Sequence, residues 1–223
     1  MRCSEMKNIL FISYQFPPLA GPGVHRSLNF VKHLRNYGYN PIIIKAKESK
    51  TNIKKNQLDK DLLLELPQDL IIINTKPYNL DGLKQLFMKL HVFRLLWIVF
   101  YPIFWTTGSI WPFLIFPQAT KLARQYNTKL IYTTSGPFST WILGYLLKRR
   151  LGIKWVADIR DPFTDGYMWA FPTKLHWFCA RKFEKWILAK ADHVIVNTKT
   201  VKNLYLKRNI INQSKISHIT NGY

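Results

Sequence analysis

Residues 8–45 read NILFISYQFPPLAGPGVHRSLNFVKHLRNYGYNPIIIK, and their pattern decides the fold. The run from Asn8 to Tyr14 is short, apolar and β-prone, and it stops at Pro17, Pro18, Gly21, Pro22 and Gly23, which break regular structure. Val24, Leu28, Val31 and Leu34 then recur at helical spacing, so a helix follows with one apolar face. Gly38 closes it, and Pro41-Ile-Ile-Ile-Lys45 is apolar at consecutive positions, as in a strand covered on both sides. Strand, glycine loop, helix and strand make a βαβ unit, whose crossover forces the two strands to be parallel.

Working outward, the alternation continues to the chain end. Leu70 to Asn74, Lys129 to Thr134, Trp155 to Arg160, His193 to Asn197 and Ile216 to Thr220 read as further strands. Helical patterns separate the later ones: one ending at Tyr126, one fed by a turn at Ser135 to Ser139 with Pro137 in its first turn, then Thr173 to Lys190 and Lys199 to Arg208. The expectation is an α/β chain, doubly wound, with a mostly parallel Rossmann-like sheet of about seven strands in a single domain over residues 1–220. Ligands of such sheets sit beyond the carboxyl ends of the strands.

With 48% hydrophobic and 15% aromatic residues, the 223-residue chain has ample material for a core, which excludes a disordered polymer. Lys and Arg number 33 against 12 Asp and Glu, a formal charge of +21 that implies a polyanionic partner or surface. The basic residues recur on separate segments, Lys45 to Lys60, Lys148 to Lys154 and Lys199 to Lys215, with no nucleic-acid-binding motif. A nucleic-acid partner therefore rests on charge alone, and none is expected. Cys3 and Cys179 form neither a disulfide framework nor a metal site, and no histidine pair has ligand spacing, so no metal is expected. The first apolar run is too short for a secretory signal, which points to the cytoplasm.

Three loops fall at the carboxyl edge of the predicted sheet. The first places Gly21 and Gly23 before a helix N-terminus, where backbone N–H groups and the helix dipole favour a phosphate, with Arg26 just inside the helix. Its plainer reading is a tight turn, because the dinucleotide fingerprint is absent. The second, Thr134-Ser135-Gly136-Pro137, offers hydroxyls to the same crevice, or an N-cap through Ser135. In the third, Asp158-Ile159-Arg160-Asp161-Pro162, charges leave an apolar strand, so they pair structurally or bind a ligand. Asp158, Arg160 and Asp161 are the catalytic candidates; Ser135, Gly136 and Asp161 are candidates for the acceptor side. Hydrolase elbows and Walker loops are absent from the sequence.

These blocks, Tyr14 to Arg26, Thr134 to Ser139 and Val156 to Phe163, together with the ending Ile219-Thr-Asn-Gly-Tyr223, resemble the amino-terminal domain of family 4 glycosyltransferases along the whole chain. The resemblance implies a GT-B architecture of two facing Rossmann-like domains. The amino-terminal one binds the acceptor and brings its glycine loop, here Gly21 and Gly23, near the donor phosphates; the other holds the nucleotide sugar. Residues 221–223 then begin the interdomain linker. The implied reaction is a hexosyl transfer, with retention, from a nucleotide-sugar donor to a lipid-linked or polysaccharide acceptor in cell-surface glycan synthesis. A nucleotide sugar is the donor substrate and no other cofactor is implied. Where many members carry a histidine after the serine-glycine-proline turn, this chain has Trp141. The acidic donor-sugar motif belongs to the second domain, so the isolated chain is expected to be inactive. A non-catalytic acceptor- or membrane-binding module, or one subunit of a split transferase, is the rival expectation.

From Leu95 to Phe116 no residue is charged, but Pro102, Pro112 and Thr106-Thr-Gly-Ser109 interrupt the run. An apolar helical insertion over about residues 83–116, dipping into an interface, fits better than a span. Trp97, Tyr101, Trp105 and Trp111, with Arg94, are expected to face an anionic membrane on its inner, cytoplasmic side, against the alternative of core packing. Tyr167, Trp169, Phe171 and Trp177 near Lys174 and Arg181 offer a second such surface.

Overall fold

A computed structural model describes residues 6–48, 58–77, 110–166 and 171–221. Its elements are β1 (Lys7–Ile12), α1 (Pro22–Leu34), β2 (Tyr39–Ala46), β3 (Ile71–Thr75), α2 (Trp111–Gln125), β4 (Leu130–Thr134), α3 (Thr140–Leu151), β5 (Lys154–Ile159), α4 (Lys174–Ala189), β6 (His193–Val196), α5 (Lys199–Lys207) and β7 (Ile216–His218). The strands form one sheet in the order β3-β2-β1-β4-β5-β6-β7, and every pairing is parallel. The doubly wound expectation holds, each described strand lying within two residues of its sequence reading.

Chain direction sets the layering. β1 steps to β2 one way, while β4 to β7 step the other way, so right-handed crossovers put α1 on one face and the later helices on the opposite face. Val24, Leu28 and Val31 of α1 bury against Phe11, Ile43 and Tyr132. On the other face, α2 to α5 contribute Trp111, Ile115, Trp141, Leu147, Ile187 and Tyr205 to a larger core with Leu10, Ile42 and Trp155. Ile42, Ile43 and Ile44 are at most 1% exposed, because β2 is covered on both sides.

Two buried indoles find the same kind of partner. Trp111 Nε1 donates to Thr75 Oγ1 at 2.9 Å, and Trp155 Nε1 donates to Thr133 Oγ1 at 2.9 Å. A buried indole N–H needs an acceptor, and a strand threonine supplies one without leaving the sheet. Trp111 thereby departs from its expected place on a membrane surface: it is fully buried, with its ring edge-on to Tyr14. Residues 111–116 belong to the core helix α2 rather than to an insertion. Arg94, Trp97, Tyr101 and Trp105 lie outside the described residues. No helix among the described residues is long and apolar enough to cross a membrane.

Two further expectations are corrected. Pro137 does not open a helix, since α3 begins at Thr140, whose hydroxyl donates back to the Thr134 and Pro137 carbonyls. Lys45, the first of the basic segment running to Lys60, is 3% exposed; its Nζ donates to the Pro17 carbonyl and pairs with Glu48.

α3 reaches the sheet at Gly144, where an added Cβ would sit 2.3 Å from Trp155 Nε1. Gly144→Ala is expected to displace the indole from Thr133 and to lower stability by about 1–3 kcal/mol, the usual cost of overpacking. Urea denaturation followed by tryptophan fluorescence checks it; an unchanged midpoint would show that α3 can shift freely.

Candidate functional site

The carboxyl ends of β1, β4 and β5 lie side by side in the sheet, and the direction of winding reverses between β1 and β4. Doubly wound sheets bind ligands at such a switch point. The β1–α1 loop enters it through Gly21, at φ 143°, a left-handed value that favours glycine. Pro22 follows at the first helical position, and the N–H groups of Val24 and His25 both turn back to the Gly21 carbonyl, at 2.9 and 3.1 Å. Pro22 has no N–H to give, so Gly23 supplies the remaining free donor of this turn among the described residues. The loop is a narrower anion cradle than its glycines alone imply.

Arg26 is not part of that cradle. It is 2% exposed and faces inward, donating from Nε to both Asp158 oxygens at 3.2 and 3.0 Å and from Nη2 to Oδ1 at 2.7 Å. Nη1 donates to the Ile219 carbonyl at 2.7 Å and to Asn221 Oδ1 at 3.0 Å. Asp158 is 1% exposed and accepts a further bond from Thr134 Oγ1 at 3.1 Å. Burial alone pulls the Arg26 guanidinium toward a lower pKa, but the hydrogen bond and charge of Asp158 outweigh it and leave the pKa raised. Every guanidinium nitrogen and both carboxylate oxygens thus have a partner. The expected phosphate role of Arg26 and the expected catalytic role of Asp158 therefore give way to a buried ion pair, the plainer reading of the third loop, with a partner from α1 rather than from the loop itself.

Arg160 is placed differently. Along β5, the alternation of side chains puts Val156, Asp158 and Arg160 on the face that α1 covers. The Arg160 guanidinium lies between two glycines: a Cβ on Gly23 would meet Nη1 at 1.3 Å, and one on Gly136 would meet Nη2 at 1.6 Å. A side chain at either position would push the guanidinium out of this slot. Only its backbone N–H is bonded among the described residues, to Ser135 Oγ at 2.9 Å. Burial lowers its pKa from the ordinary value and Arg26 adds to that, with Asp158 and Asp161 working against both. A half-buried guanidinium with no side-chain hydrogen bond among the described residues has donors free for an anion.

The other sequence candidates divide accordingly. Gly136, at φ 107°, is a wall of the Arg160 slot. Ser135 is 2% exposed, and its hydroxyl holds the Arg160 backbone rather than facing an acceptor or capping α3. Asp161 is exposed at the crevice edge and is the one carboxylate of the three-residue charged segment still open to solvent. Trp141 is fully buried against Phe138 and Phe163, so it contributes to the core and not to the crevice. No group of metal-binding side chains occurs among the described residues. Sequence reasoning missed Thr134 and Asn221 as partners of the ion pair. Period-two alternation from Val156 could have placed Asp158 and Arg160 beneath α1, but not the contact with residues 219–221.

The family model described as Glycosyltransferase Family 4 matches residues 23–223. No curated protein matches the sequence. Among solved structures, a sucrose-phosphate synthase from Thermosynechococcus elongatus superposes with a TM-score of 0.58 at 16% identity, over 97% of this chain and 48% of that one. A Medicago truncatula protein complexed with UDP-glucose gives 0.53 at 14% identity, over 96% and 51%. A UDP-GlcNAc 2-epimerase from Neisseria meningitidis bound to UDP-GlcNAc gives 0.52 at 11%, over 97% and 47%. At these identities the likeness is one of fold, consistent with one domain of a GT-B architecture. The chain spans about half the length of these structures.

Asp158→Ala strands the buried Arg26 charge and is expected to cost about 3–5 kcal/mol, whereas replacing both partners together, Arg26→Met with Asp158→Leu, recovers much of the loss. Denaturant melts of the two singles and the double give the coupling; additive losses would mean that the pair does not act as a unit.

Proposed function

The chain belongs to glycosyltransferase family 4, and from that premise we propose that it forms the acceptor-side domain of an enzyme moving a sugar from a nucleotide donor to a lipid-linked or polysaccharide acceptor. These residues supply one wall of the catalytic cleft. In this reading the nucleotide is held by a donor half outside these residues.

One observation carries the reading: the Arg160 guanidinium, sunk between Gly23 and Gly136 at the switch point, has no hydrogen-bond partner among the described residues. In transfer from a nucleotide sugar, negative charge grows on the leaving diphosphate, and a half-buried cation already at the cleft wall stabilises that charge. The Gly23 N–H, at the positive end of α1, adds a second donor beside it. Asp161, exposed next to Arg160, is the carboxylate this reading assigns to an acceptor hydroxyl. No transfer is expected from these 223 residues by themselves, because sugar recognition belongs to the other half.

Titration with inorganic pyrophosphate, followed by amide chemical shifts, is expected to perturb Gly23, Gly136 and Arg160. Arg160→Gln should weaken the binding by about tenfold or more, as a lost charged hydrogen bond does. Gly23→Ala should also abolish it by filling the slot. Binding unchanged in Arg160→Gln would remove the site, and sugar transfer by the purified chain alone would remove the domain assignment.

A further inference from the structure

Helix α4 is built inside out. Its inner face carries Ala180, Glu184, Ile187 and Leu188, with Glu184 completely buried. That carboxylate accepts from the Phe163 N–H at 3.1 Å, the Thr164 hydroxyl at 2.6 Å and the Tyr205 hydroxyl at 2.8 Å, and it pairs with Arg208 at 3.1 Å. The helix's only acid is thus consumed in the core. The outer face carries Leu175, Phe178 and Trp186, which are 68%, 52% and 46% exposed. Lys174, Lys182 and Lys185 stand exposed among them.

The cations are organised around the aromatics. Arg181 lies over the Trp177 ring at 4.8 Å, and Lys182 over the Phe178 ring at 5.3 Å. Trp177 is half-buried, its indole N–H donated to the Thr164 carbonyl at 3.3 Å, so it anchors the cluster to the β5–α4 loop. Beside this face an open cavity of about 300 Å³ is lined by Trp177, Phe178, Arg181, Lys182, Lys185 and Arg208. Arg208 is already neutralised by Asp165 and Glu184. Arg181, Lys182 and Lys185 have no ion-pair partner among the described residues.

We propose that this face of α4 docks on an anionic membrane, with the three large apolar side chains entering the headgroup layer and Arg181, Lys182 and Lys185 meeting lipid phosphates. Charge complementarity selects this occupant: the outer surface of the helix offers only positive charge, in a chain of formal charge +21. Leu175 and Trp186 are eleven positions apart, about 16 Å along the axis, which suits a broad, deformable surface better than a single protein pocket. α4 covers the sheet face opposite α1, and its N-terminal end follows the carboxyl edge of β5, so the docking face reaches the edge of the sheet at which the crevice opens only at that end. The surface stands on its own geometry; only its use, presenting a lipid-linked acceptor to Arg160 and Asp161, rests on the acceptor-side reading.

Flotation of the 223-residue chain with phosphatidylcholine vesicles, with and without phosphatidylglycerol, reads the docking. Binding is expected with phosphatidylglycerol only, and to fall as salt rises. Phe178→Ser with Trp186→Ser, and separately Lys182→Glu with Lys185→Glu, should each weaken it by about tenfold or more. Lys129→Glu with Lys154→Glu, the same charge change at the opposite strand ends, should leave most of it. Cys179, exposed on the same helix, carries an environment-sensitive fluorophore in a Cys3→Ser background, and its emission should shift blue on anionic vesicles. Equal loss in the Lys129/Lys154 control, flotation without a blue shift, or self-association abolished by the Phe178/Trp186 change with no vesicle binding would each overturn the proposal. None of these variants touches the Arg160 slot, so pyrophosphate binding there stands or falls separately.

Discussion

Arg26 and Asp158 are both about 1% exposed in their side chains, and the interior tolerates two such charges only when every polar atom is satisfied. The carboxylate takes three contacts from Arg26 and one from Thr134, while the guanidinium spends its remaining arm on Ile219 and Asn221. One ion pair therefore ties the first turn of α1 to β4, to β5 and to the chain leaving β7. The position of Gly23 depends on it, because Gly23 lies in the same helical turn as Arg26. So does the slot in which Arg160 lies. The crevice ends up with two guanidiniums and a single buried carboxylate, and the carboxylate is fully engaged by one of them. The excess positive charge belongs to Arg160.

Much of this is legible in the sequence alone. Consecutive isoleucines at 42–44 and the apolar cores of β4, β5 and β6 can only be strands buried on both sides, and the intervening helical spacing forces parallel pairing. The three loops at the carboxyl edge were also correctly grouped. The missing information was direction. Arg26 follows Gly23 by three residues, and nothing in that spacing tells whether its side chain reaches a phosphate or turns back to a carboxylate 132 positions later. A one-dimensional pattern fixes which face a strand residue takes, but not which of two nearby arginines a buried aspartate will neutralise.

The aromatic residues show a different limit. Tryptophan is suited both to a wet interface and to a core that supplies an acceptor for its N–H, so composition alone does not choose. Trp111 went to the core because Thr75 was there to receive it. Trp186 stayed outside because Glu184, two residues earlier, turned inward to hold Phe163, Thr164 and Tyr205 together. The usual rule of apolar in and charge out is reversed at that pair. Glu184 reads in the sequence as a solvated residue, yet it lies at the centre of the buried face of α4.

The reversal bears on the charge of the protein. Of the 12 acidic residues, seven form ion pairs among the described residues: Glu48, Glu65, Asp69, Asp158, Asp165, Glu184 and Asp192. They engage six basic residues, because Arg208 serves two of them. The acids are thus largely committed to holding segments in place, and most of the Lys and Arg among the described residues lie outside those pairs. Such an excess repels itself and works against a compact state unless something anionic lies against it. A small ligand at Arg160 can answer only one of those charges. The anionic surface proposed for α4 would answer many at once, and it would give a use to the three large apolar side chains that a helix with no outward acid keeps in water.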